Sequence, residues 1–172
     1  MQDQTAIAAA RTLLDICTRK KLTLATAESC TGGLVSAAIS EIPGSSAVLD
    51  RGFVTYSNEA KQQMLGVAPT TLEAYGAVSR ECAEEMAKGA VTRASVDLAV
   101  SITGIAGPTG AVPGKPVGLV FFCAASRNGR MISHERRYGD IGRAAVRRES
   151  VLHALTMLQE LAEQEETRAG KL

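Results

Sequence analysis

Aromatic residues are nearly missing from this 172-residue chain, which has three Phe, three Tyr and no Trp. The core must therefore be built from Ala, Val, Leu and Ile, and the aromatic platforms that stack nucleic-acid bases are not available. Excess charge is missing too. Nineteen Lys and Arg against eighteen Asp and Glu leave a formal net charge of +1. No general field then draws the chain to nucleic acid or to an acidic membrane. No apolar run approaches the roughly 18–20 residues that span a bilayer. The N-terminal MQDQTAIAAARTLLD carries acids and lacks the basic-then-apolar order of a signal peptide. Cys17, Cys30, Cys82 and Cys123 are scattered, with no C-x-x-C pair and no neighbouring His. That pattern argues against disulfide and zinc frameworks and fits a reduced, cytoplasmic protein with no metal or cofactor.

What remains is an ordinary globular composition, 45% hydrophobic and 22% charged. It predicts a single domain over residues 1–172, long enough to bury its own core. Helical spacing of Ile7, Leu13, Leu14 and Cys17 predicts a helix over 4–20. Residues 22–27 read as a buried strand, with Ser29 or Thr31 as N-cap of a helix over about 32–41. Residues 47–56 read as extended. A short helix capped by Ser57 or Asn58 runs to Gly66, and a longer one capped by Ser79 runs to about Arg93. Residues 96–102 form a central strand, and 103–116, with four Gly and three Pro, form a loop. Residues 117–125 and 131–138 flank an Asn-Gly turn and read as a hairpin. A final amphipathic helix spans about 142–166. The sum is an α/β fold: three layers, α/β/α, around a mixed, mostly parallel sheet with a C-terminal hairpin. Ligands of such sheets sit beyond the carboxyl ends of parallel strands, which directs attention to segments 26–33 and 103–110.

Familiar site patterns fail in both segments. SITGIAGPTGAVPGKP lacks the G-x-x-x-x-G-K-[ST] spacing of a phosphate loop, and Pro116 stands where the hydroxyl is needed. The chain has two histidines, His134 on a hairpin strand and His153 in the last helix, and no G-x-S-x-G, which leaves a Ser-His-Asp site poorly supported. Glu84-Glu85 reads as a solvated helix face. Among the late arginines, Arg143 and Arg147 share one face near a helix start, where an anion is favoured.

One arrangement is left. TAESCTGG joins a strand to a helix, and Ser29 in it is either a cap or a nucleophile. A serine hydroxyl needs a base to take its proton, and a desolvated lysine can replace histidine. Lys61 of YSNEAK falls in the first turn of a helix, where the dipole disfavours ammonium. A surface lysine remains the alternative reading, and local sequence does not choose between them.

TAESCTGG, IPGSSAVLDRGFVTYSNEAKQQMLGV, YGAVS, SITGIAGP and KPVG together resemble the C-terminal domain family of the competence/damage-inducible protein CinA, over about residues 5–162. Many members carry a molybdopterin-binding-like domain in front, and the expectation here is a chain without it. Stand-alone members are nicotinamide-nucleotide amidohydrolases of pyridine nucleotide recycling (NMN deamidases). The resemblance implies Ser29 as nucleophile, Lys61 as general base and Tyr56 as an orienting or relaying group. It also implies substrate contacts from Thr31, Gly32, Gly33, Ser45, Thr103, Gly104 and Arg147. The implied partner is a small nucleotide, with self-association into a homo-oligomer compatible with the exposed hairpin edge. The alternative is a non-catalytic module of the same fold with a competence or DNA-damage role.

Overall fold

A computed structural model describes residues 3–169. Helix α1, Gln4–Lys20, starts where the Asp3 carboxylate accepts the Thr5 N–H at 2.8 Å, and it stops at Lys21, whose φ of 58° is left-handed. Its basic end does more than answer its own dipole. Lys20 Nζ donates to the carbonyls of Ala162, Glu163 and Glu165, closing the C-terminus of the last helix.

Strand β1, Leu24–Glu28, is buried at every position, as a central parallel strand covered on both faces should be. Helix α2 (Leu34–Ser40), strand β2 (Leu49–Val54), helices α3 (Asn58–Leu65), α4 (Pro69–Tyr75) and α5 (Arg80–Ala94) and strand β3 (Leu98–Gly104) follow. The chain ends with β4 (Leu119–Ser126), β5 (Met131–Arg137) and α6 (Arg143–Gln164). Among the described residues no helix is long and apolar enough to cross a membrane.

The sheet order is β2-β1-β3-β4-β5, parallel at β2-β1-β3 and antiparallel at β3-β4-β5. Parallel pairings therefore only equal antiparallel ones. The hairpin contributes one antiparallel pair, and the 105–118 loop returns β4 against β3 to make the second.

Strand alternation sorts the two faces. Leu24, Leu98, Val100, Ile102 and Phe122 meet α1, α2 and α6. Ala25, Ala27, Ala99 and Ala125 meet α5, whose own face is Ala83, Ala87 and Ala90. Each fully buried leucine on the bulkier face, Leu155 or Leu158 for instance, contributes about 1.5–3 kcal/mol of transfer free energy. Small residues on the other face bring α5 close. At Gly89 an added Cβ would sit 1.9 Å from Leu65 O, so α3 rests directly on the α5 backbone.

Two helix starts differ from the sequence reading. Neither Ser29 nor Thr31 caps α2, which begins after Gly33 with no side-chain cap of its own. Gly33 has φ 100°, a conformation that tightens the turn but brings no side-chain acceptor. Helix α4 has no apolar stripe to announce it, only Leu72 packed inward. Glu85 of α5 caps it from a distance, accepting Ala68 N–H at 3.0 Å and Thr71 Oγ1–H at 2.7 Å.

Helix α2 lies on one face of the sheet and α3–α5 on the other. The connections leaving the adjacent parallel strands β1 and β2 therefore run to opposite faces, and a crevice opens at the carboxyl ends of these strands.

Candidate active site

Ser29 is the first residue beyond β1. Its N–H donates to Ile102 O at 3.0 Å, extending the ladder with β3 by one step. The chain then turns sharply: Gly32 N–H donates to Ser29 O at 3.0 Å, and Gly32 and Gly33 both take positive φ. Strand, turn and helix thus fix the Ser29 backbone on both sides.

On the neighbouring strand end, Ser57 Oγ accepts Ala60 N–H at 3.0 Å and starts α3. Lys61 follows at once and turns its side chain inward. It is the largest fully buried side chain, 1% exposed. Its Nζ lies 3.0 Å from Ser29 Oγ, 2.8 Å from Thr55 O and 3.4 Å from Tyr56 O. All three partners are uncharged. Burial pulls the amine below the ordinary lysine value. Burial in turn pushes the Cys30 and Cys82 thiols up to about 11, so neither is a thiolate at neutral pH. Of the two causes that the sequence suggests for the Lys61 shift, burial and the helix dipole, burial is the leading one. A neutral amine has two N–H bonds and one lone pair. If the amine were neutral, its two N–H bonds would go to Thr55 O and Tyr56 O and its lone pair could accept from the Ser29 hydroxyl.

These groups open onto a cavity of about 230 Å³ lined also by Tyr56, Asn58, Val78, Thr103, Gly104, Gly107, Thr109 and Arg143. Lys61 and Arg143 are its charged lining, with no carboxylate among the described residues. Arg143, the first residue of α6, donates to Gly107 O at 3.0 Å and to the Tyr56 hydroxyl at 2.8 Å. Tyr56, 59% exposed, stands at the mouth. Thr103 Oγ1 donates to Ala77 O at 2.8 Å, and Gly104 has no room for a Cβ, with Val120 Cγ2 at 2.7 Å from where it would lie. Among the described residues there is no group of three or more His, Cys, Asp or Glu side chains placed to hold a metal ion.

Ser29, Tyr56, Lys61, Thr103 and Gly104 therefore meet at one cleft together with Arg143, whereas Thr31, Gly32, Gly33, Ser45 and Arg147 do not line it. Thr31 is buried and spends its hydroxyl on Glu28 Oε1 at 2.7 Å. Gly32 and Gly33 serve the turn. Ser45 precedes β2, at the amino end of the parallel strands, a full strand length from Ser29. Arg147 lies one helical turn past Arg143 and faces the main chain, donating to Cys30 O at 3.1 Å and Thr31 O at 3.3 Å. Arg143, not Arg147, reaches the cavity.

Glu28 went unremarked in the sequence. It is fully buried, and its carboxylate accepts from Thr31 Oγ1 (2.7 Å) and Val35 N (2.9 Å) at Oε1 and from Thr26 Oγ1 and Ser36 N (both 3.1 Å) at Oε2. A charged residue ending an all-buried strand was the one signal available.

The fold and cleft define a class: a three-layer α/β/α domain with a serine and a buried lysine paired at the carboxyl ends of its parallel strands. The family model "CinA C-terminal domain" matches residues 6–162, and the chain belongs to that family. Among curated proteins it is 53% identical over 137 residues to the nicotinamide-nucleotide amidohydrolase PncC of Escherichia coli K12, covering 79% of this chain and 82% of that protein. A protein carrying the competence-damage inducible name in Acetivibrio thermocellus is 48% identical over 151 residues. The match takes in 88% of this chain but 35% of that longer protein. The crystal structure of the competence/damage inducible protein CihA from Agrobacterium tumefaciens superposes with a TM-score of 0.92 at 51% identity, covering 94% of this chain and 98% of that one.

Proposed function

We propose that the cleft hydrolyses the carboxamide of nicotinamide mononucleotide to nicotinate mononucleotide and ammonia. The observation that carries this reading is the 3.0 Å approach of Lys61 Nζ to Ser29 Oγ, with main-chain carbonyls holding the amine in place. The name of the PncC relatives supplies the substrate class.

Lys61 takes the Ser29 proton as Oγ bonds to the amide carbon. The tetrahedral oxyanion then needs fixed donors, each worth about 3–4 kcal/mol in such sites. The N–H of Cys30 suits that role, since Cys30 lines the cavity and its N–H has no main-chain acceptor among the described residues, whereas Gly32 N–H is already used. The Lys61 ammonium returns its proton to the departing nitrogen, the C–N bond breaks and ammonia leaves. Water then attacks the Ser29 ester, gives its proton to Lys61, and the carboxylate product separates as Ser29 recovers its hydrogen. Arg143 pairs with the phosphate, its fork held by Gly107 O and the Tyr56 hydroxyl. Tyr56 thereby orients Arg143 through its hydroxyl and Lys61 through its carbonyl. A substrate carrying one anionic group suits a cavity whose charged lining is cationic.

The test is ammonia release from nicotinamide mononucleotide by the purified protein beside a Ser29→Ala variant. Release by the wild type, lost in the variant by about 10³-fold or more, is expected. A silent wild type, or full rate without Ser29, overturns the reading.

A further inference from the structure

We propose that Glu28 is a positioning residue that holds Ser29 and Lys61 in register, an inference that rests on the catalytic reading above. Glu28 is fully buried and sits immediately before the nucleophile. Its two oxygens gather four donors from both ends of the TAESCTGG turn: Thr26 before it, Thr31 within it, and the Val35 and Ser36 amides beyond it. Val35 and Ser36 are the second and third residues of α2, the amides that a capping side chain normally satisfies. Gly33 has no side chain to do this, so the carboxylate reaches across from the strand and closes Ser29–Gly33 into one hydrogen-bonded loop. The chain of donors extends to Ser36 Oγ, 2.5 Å from Thr26 Oγ1. With Thr26 donating to Glu28, the Ser36 hydroxyl donates to Thr26.

The main chain of the same residue serves the other partner. Glu28 O accepts Thr55 N–H at 2.9 Å, and the Thr55 carbonyl holds Lys61 Nζ at 2.8 Å. One residue thus fixes the nucleophile's turn through its side chain and the base's acceptor through its backbone. Displacement of a reacting group by about 1 Å can cost on the order of 10²-fold in rate.

Glu28→Gln keeps the shape and replaces one acceptor oxygen by two N–H bonds. Either amide orientation sets those bonds against a hydroxyl and a main-chain N–H. The expected result is a fall in kcat of about 10–100-fold with KM changed by less than about two-fold. A fluorophosphonate, which bonds covalently to an activated serine hydroxyl, should label Ser29 slower by a similar factor. Thr31→Val removes one donor from Oε1 at constant volume and Thr31→Ser keeps it. The Val variant should lose several-fold in kcat and labelling rate, and the Ser variant should keep both. If Glu28→Gln does not fold, the Thr31 pair decides. Folded variants with wild-type kcat and labelling rate, a loss confined to KM, or equal rates for Thr31→Val and Thr31→Ser overturn the proposal. Labelling needs no amide substrate, so the positioning role is tested even where the substrate assignment fails.

Discussion

Two basic side chains among the described residues are pushed toward their neutral forms by burial, and they sit in different company. Lys61 ends against Ser29 Oγ at the carboxyl ends of the parallel strands. His153 of α6 ends against His134 Nδ1 at 3.0 Å, with the Phe122 ring packed edge-to-face on it at 4.7 Å between centroids, under the antiparallel hairpin. Burial lowers His153 to about 4, aided by Arg136 and His134. A shifted basicity alone would nominate both places. The difference lies in what each nitrogen touches: a hydroxyl facing a cavity in one case, another imidazole and a core ring in the other. His153 also borders a cavity, of about 280 Å³, so what separates the two places is the reactive neighbour.

The sharpest way to break that contrast is to remove both bases in turn. Lys61→Ala should lower kcat by about 10²–10⁴-fold, the usual range for a general base. His153→Gln should leave the ammonia-release rate within about two-fold. The wild-type rate should rise with pH as the Lys61 ammonium deprotonates and then level off. Because burial depresses that titration, the plateau should begin below the ordinary lysine value of 10.5. A flat profile removes Lys61 as the base. Equal losses for the two variants would erase the distinction between the regions.

The two arginines of α6 offer the next test. Arg143→Ala should raise KM by about 10–100-fold through loss of a charge-assisted contact, with a smaller effect on kcat. Arg147→Ala removes the clasp on Cys30 O and Thr31 O, and its loss should fall on kcat and stability. Reversed patterns would return the phosphate to Arg147.

How much of this was readable in sequence depends on the distance over which each signal acts. Ser29 and the start of α3 announce themselves locally, through glycines, a cap and an apolar run, and the motif resemblance adds their roles. Glu28 does not, because its donors lie up to eight residues away and only the turn brings them round it. Arg143 and Arg147 are indistinguishable by spacing alone. Their separation of one turn, about 6 Å of rise, decides that one overhangs the cleft and the other meets the Cys30 and Thr31 carbonyls. Ser45 reads as a neighbour of the site in the motif but falls at the far end of β2, since sequence proximity carries no information about which end of a strand is which. Helix α4 was invisible because its cap comes from Glu85, on another helix.

Gly89 extends the comparison to what supports each base. Lys61 depends on α3, and α3 rests on the Gly89 backbone at Leu65 O. Gly89→Ala must push the helices apart, and such overpacking costs about 1–3 kcal/mol. Thermal unfolding should register that cost, and kcat should fall several-fold with it as Lys61 is drawn from Ser29. An unchanged kcat in a destabilised variant would show that α3 can shift without moving the amine.

The last effect belongs to His153, and it concerns stability and not the reaction. Its folded-state value of about 4 lies below the ordinary 6.5, so between those limits the unfolded chain binds the proton more readily. Stability therefore rises with pH across that window and is lost as pH falls from about 6.5 toward 4. One such group contributes at most about 1.4 kcal/mol per pH unit. Denaturant titrations at pH 7, 6, 5 and 4.5 should show a shallower acid slope for His153→Gln than for the wild type. The variant is expected to gain relative to the wild type as pH drops, because glutamine has no proton to bind. Parallel slopes would mean that the imidazole charges in place, and the contrast with Lys61 would then rest on geometry alone.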